Sequence, residues 1–110
     1  MKQVGIWVIS MVCIVGLNTA RADEGETIFK SQGCMSCHKK ESTSKVNPSL
    51  AEISMAYQGK EEQLARYLGG ESEAIVRPEK ASLMKRYIEK TKELSDTDRK
   101  ALTDFLLRQQ

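Results

Sequence analysis

The chain has 110 residues, 17 Lys and Arg against 15 Asp and Glu, three cysteines, one histidine and one tryptophan. That length gives one domain and excludes doubly wound or barrel enzymes, which need roughly 200 residues or more. A lone histidine excludes any site built on two imidazoles, and a net charge of +2 supplies no strongly basic face for nucleic acid.

Residues 1–22 read as a secretory leader. Lys2 is a short positive start, Val4 to Leu17 an apolar run, and Ala20-Arg21-Ala22 a small-x-small cleavage site. The uncharged stretch Gln3 to Ala20 comes close to the ~20 residues that span a bilayer. Gly5, Ser10, Gly16 and Asn18 dilute it, which favours a cleaved signal over a retained anchor. Cys13 follows Val12, where a lipoprotein signal needs a small residue, so it is a passenger of the leader. The working domain is then 23–110: 88 residues, 15 charges of each sign, and two cysteines, Cys34 and Cys37. A core of that size needs a staple.

From Gly25, residues Ile28, Phe29 and Gln32 fall at helical spacing, and Gly33 is a natural stop. This predicts a helix of about two turns leading into Cys34. Lys39 to Pro48 is polar and reads as a loop. Ser49 caps a predicted helix through Leu50, Ile53, Met55, Ala56 and Tyr57, closed by Gly59, with Met55 in the core. Lys60 to Leu68 gives another helix, stopped by Gly69-Gly70. Glu71 to Lys80 reads as a connection and Ala81 to Tyr87 as a short helix. The last helix opens on Ser95 with Asp98 three residues on, and carries the stripe Ala101, Leu102, Phe105, Leu106. No segment alternates with period two. The predicted fold is all-α, four to five short helices.

Cys34-Met35-Ser36-Cys37-His38 is the covalent c-type haem attachment pattern. Two thiols separated by two residues can each form a thioether with a haem vinyl group, and the adjacent imidazole reaches the iron from one face. The macrocycle also supplies the missing staple. A thioredoxin-like pair wants a βαβ setting, which is not found here. A zinc site wants four Cys or His ligands, and 23–110 offers three. A structural disulfide leaves His38 unexplained.

The ligand opposite His38 decides the class of function. With Met there the iron is six-coordinate, its potential is raised, and it moves electrons; an open position points to gas binding. Met35 lies between the attaching cysteines and cannot reach the far face. Met84 stands 46 residues beyond His38, enough chain to wrap the haem and return. It is favoured over Met55 and over an open site, and both alternatives stand at this point.

These residues resemble class I cytochromes c, in particular the short monohaem bacterial electron carriers. The resemblance covers Gly25, Phe29 and Gly33 before the motif, Asn47-Pro48-Ser49-Leu50, Met84, and Leu94-Ser95-Asp96 opening the last helix. It implies helices wrapped around one haem c, with the first helix crossing the last through Gly25 and Phe29 near Leu102 and Phe105. It also implies that the Pro48 carbonyl accepts from His38 Nδ1–H, as a neighbour that orients a ligating imidazole does. Where the family often has Gly before that proline and Pro after the ligand Met, this chain has Asn47 and Lys85-Arg86.

The function so implied is a monomeric, non-enzymatic carrier of single electrons in the periplasm or another extracytoplasmic space. Its partners would be membrane respiratory complexes or a periplasmic oxidoreductase. Lys39, Lys40, Lys45, Lys85 and Arg86 would ring the haem edge as a docking surface. A haem subunit of a larger oxidoreductase, and a gas-binding sensor lacking the distal Met, are the alternatives.

Overall fold

The computed structural model describes residues 18–109, with side chains from Glu24 onward. Lys2, Cys13 and the apolar run of the expected leader lie outside the described residues. Among the described residues there are five α-helices and no strand: α1 Asn18–Ser31, α2 Leu50–Ala56, α3 Glu61–Leu68, α4 Lys85–Thr91 and α5 Asp96–Leu107. Short 3-10 segments at Cys34–Ser36 and Pro78–Met84 complete the order. The all-α expectation holds. None of these helices is long and apolar enough to cross a membrane.

α1 packs across α5, and Gly25 makes the close approach possible. A Cβ there would run into the Ala101 carbonyl oxygen and lie 2.6 Å from Phe105 Cβ. Phe29, one turn on, meets Phe105 with ring centroids 5.3 Å apart. Phe29, Leu102 and Leu106 join Leu50, Tyr57, Leu64 and Leu68 in one buried cluster. α1 starts upstream of the predicted turn at Gly25, running through the boundary expected at Asp23.

The capping serines act as their chemistry requires. Ser49 Oγ accepts from the Glu52 amide and Ser95 Oγ from the Asp98 amide, both at 3.1 Å, satisfying donors that a helix start leaves orphaned. Gly33, Gly59 and Gly70 take positive φ where their helices or turns end.

Two expectations need correction. Met55 is not core: α2 buries Leu50 and Ser54 and half-buries Ile53, with Tyr57 buried just past its end, leaving Met55 on the opposite side at 68% exposure. The buried face includes a polar residue, Ser54, whose hydroxyl donates to the Leu107 carbonyl. The helix expected over 81–87 is instead a 3-10 segment through Met84 followed by α4. Spacings of three, as from Ala81 to Met84, suit either helix type.

Candidate functional site

Gly33 ends α1 in the left-handed region at φ 79°, and the chain turns at once into the 3-10 segment Cys34–Ser36. The amides of Cys37 and His38 both donate to the Cys34 carbonyl, at 3.3 and 3.0 Å. Sequence spacing thereby becomes spatial grouping, with Cys34, Cys37 and His38 on the wall of one cavity of about 380 Å³. Phe29, Leu64, Leu68, Leu102 and Leu106 from the core line it too, as do Met84 and Tyr87.

Neither cysteine is in a disulfide. Burial pushes the Cys34 thiol up from its ordinary value, the backbone and Lys90 opposing only in part. A redox-active thiol pair needs the reverse shift, because the thiolate is the nucleophile. Among the described residues no three His, Cys, Asp or Glu side chains are grouped to hold a bare metal ion.

His38 is buried at 7% exposure. Its Nδ1 lies 2.8 Å from the Pro48 carbonyl oxygen, which can only accept, so in the neutral ring Nδ1 carries the proton. Nε2 is then left with a lone pair, and 3.5 Å away is the Met84 sulfur. A thioether has no proton to give. The contact is therefore two electron-pair donors facing each other, which is not a hydrogen bond but suits an electron-pair acceptor between them. The Met84 side chain, with three rotatable bonds, can shift to admit such an acceptor.

Met84 ends the 3-10 segment and directly precedes α4, with no proline after it. Met55, exposed on α2, is not among the cavity residues.

Several contributors escaped the sequence reading. Tyr57 lines the cavity, and its hydroxyl is buried without a hydrogen-bond partner. The Ile75 amide is near enough to favour the ionised form, yet short of hydrogen-bond geometry, and burial outweighs it in raising the phenol. An orphaned buried donor beside a cavity suits a guest with acceptor oxygens, such as the haem propionates. Of the five cations singled out for the haem edge, Arg86 alone lines the cavity; the other cations there are Arg77 and Lys80. Arg77 shows one sequence sign, its place before Pro78, which constrains the preceding residue. Its positive φ of 48° does not follow from that sign.

No curated protein matches the chain. The family model described as Cytochrome c matches residues 22–110, nearly all of the described part. With the attachment motif, the apolar cavity and the helical fold in agreement, the chain belongs to the cytochrome c family, whose members carry electrons on covalently attached haem c.

Proposed function

We propose that residues 23–110 form a monohaem electron carrier working outside the cytoplasm, with Cys34 and Cys37 as thioether anchors and His38 and Met84 as the two iron ligands. One observation carries this reading: Nε2 of His38 faces the Met84 sulfur across 3.5 Å, while Nδ1 lies 2.8 Å from the Pro48 carbonyl oxygen. Cys34 and Cys37 would hold the haem as thioethers, each S–H adding across one vinyl group, sulfur to one carbon and hydrogen to the other, so that no oxidant would be required. When bound, the haem supplies a one-electron couple, whose potential a methionine ligand raises.

The residues around it limit what else can happen. Pro48 holds the imidazole in one tautomer and orientation. As the second ligand, Met84 would leave no iron position for a diatomic gas or peroxide, which favours electron transfer over bond chemistry. Phe29, Leu64 and Leu102 exclude water from the cavity interior. Lys80 and Arg86, at the cavity and on the surface, give the electron-exchange face a positive edge suited to acidic docking surfaces on membrane respiratory complexes or a periplasmic oxidoreductase.

The absorption spectrum of the exported holoprotein tests this, with and without Met84→Ala. The parent is expected to be low-spin and inert to carbon monoxide; the variant loses the methionine signature and binds the gas. A high-spin parent that takes up carbon monoxide would instead support the gas-binding reading. On the same preparation, reduction by an acidic redox partner should slow as salt is added, and a rate indifferent to salt would remove the docking surface.

A further inference from the structure

We propose that Arg77 is the positioning residue for Met84, tying the segment that delivers the distal sulfur to both elements that frame His38. The proposal rests on the ligand assignment above. Arg77 stands immediately before Pro78, at the head of the 3-10 segment that ends in Met84. Its guanidinium makes a fork to Glu52, Nη2 to Oε2 at 2.8 Å and Nε to Oε1 at 3.3 Å, and its Nη1 donates to the Ser44 carbonyl at 2.6 Å.

Both anchors belong to the His38 side of the cavity. Glu52 lies in the first turn of α2, whose cap Ser49 directly follows Pro48, the acceptor of the His38 proton. Ser44 lies in the loop between His38 and Pro48, and its hydroxyl accepts from the Val46 and Asn47 amides. One side chain thus connects the distal segment to a unit that already fixes the imidazole. Lysine cannot replace it, since a point charge cannot make the planar fork and reach a third acceptor together.

The backbone points the same way. Arg77 sits at φ 48°, ψ 60°, a left-handed conformation that residues other than glycine hold only where the surroundings over-determine it. Here the three guanidinium bonds do so. The 3-10 segment itself buries no residue and has the poorer hydrogen bonds of its helix type, so its position depends on such ties. The Arg77 side chain is 22% exposed and that of Glu52 40%, so it is the bidentate geometry and the third bond, not depth, that set this pair apart from an ordinary surface contact.

The test reads exchange of the distal ligand. Imidazole titrated into the ferric holoprotein competes with Met84 for iron, and the spectrum reports its affinity. Arg77→Gly suits the backbone conformation and removes the fork, so imidazole affinity should rise about tenfold, the equilibrium value of one charge-assisted hydrogen bond. Arg77→Lys should fall between Gly and the parent. Glu52→Gln, which keeps the shape and weakens the fork, should shift affinity in the same direction and serves if the glycine variant does not fold. Ser54→Ala loses a buried bond to Leu107 away from the cavity; it should lower thermal stability and leave imidazole affinity alone. Parent-like affinity in Arg77→Gly or Glu52→Gln, or an equal rise in Ser54→Ala, would overturn the brace while the ligand assignment stands. A Met84→Ala protein with the parent's spectrum would overturn both.

Discussion

The α1–α5 crossing and the stretch from Gly69 to Met84 both border the cavity, yet they are held by different forces. At the crossing, Gly25 lets two backbones touch, Phe29 meets Phe105, and Leu102 and Leu106 are buried. That packing reaches the site through the covalent chain, from α1 through Gly33 to Cys34. The other stretch has Ile75 and Val76 half-buried, and its 3-10 segment buries nothing. Polar ties hold it instead: the Glu71 amide to the Arg66 carbonyl, Ser72 to the Gln63 carbonyl, and the Arg77 fork. Dry packing is cooperative and global, whereas each polar tie contributes only ~1–3 kcal/mol. The crossing should therefore govern unfolding, and the ties should govern whether the Met84 sulfur keeps its place beside His38.

Gly25→Ala attacks the crossing most directly. The new methyl meets the Ala101 carbonyl, which belongs to the backbone of α5 and cannot rotate away. The helices must separate, at a cost of about 3 kcal/mol. For a domain of this size that lowers Tm by more than 10 °C, at about 4–8 °C per kcal/mol. A fall of only a degree or two, or a rise in imidazole affinity matching that of Arg77→Gly, would erase the contrast between the regions.

Thr91→Val tests the bond between α3 and α4, the helices that flank the second region in the chain. The Thr91 hydroxyl, fully buried on α4, donates to the Leu68 carbonyl at the end of α3 at 2.6 Å. Valine keeps the shape and leaves that carbonyl unpaired, for a loss of about 1–2 kcal/mol in urea or thermal unfolding. Unchanged or improved stability would mean that the bond does not hold α4 to the core.

The same contrast decides what could be read from the sequence. Stops at Gly33, Gly59 and Gly69-Gly70, caps at Ser49 and Ser95, and the stripe from Ala101 to Leu106 were legible because each is a local rule: left-handed backbone, an orphaned amide, a helical period. Met55 was misplaced because a seven-residue helix gives the period too few points, and Ser54 took a core position that hydrophobicity assigns to an apolar residue. Cys34, Cys37 and His38 were legible because their chemistry is packed into five consecutive residues. Arg77 was not, for its partners lie 25 and 33 residues away and nothing local announces them. Tyr57 was read as part of a helix stripe, since only the folded chain shows that its hydroxyl lacks a partner.

The smallest expected effect concerns two tyrosines that line the cavity where both regions border it, Tyr57 from the end of α2 and Tyr67 from α3. Burial raises both phenols above their ordinary value, and at Tyr67 the neighbouring Tyr57 adds to the rise. The unfolded chain therefore releases these protons first, near pH 10, while the folded protein still holds them. Stability is complete below about pH 10 and falls as pH climbs toward the folded values. Lys92 and Lys100, raised by hydrogen bonds to Glu89 and to Glu61 and Asp104, act in the same sense. Being solvated pairs, they should add little. At pH 10.5 each tyrosine should account for at most about 0.8 kcal/mol of the loss. Urea unfolding at pH 8 and pH 10.5 measures it: Tyr57→Phe and Tyr67→Phe should each lose less between the two pH values than the parent. If Tyr67→Phe shows the reduction and Tyr57→Phe does not, the Tyr57 hydroxyl is not sequestered in the holoprotein, and the α2 end of the cavity is wetter than its packing against Leu50 and Leu102 implies.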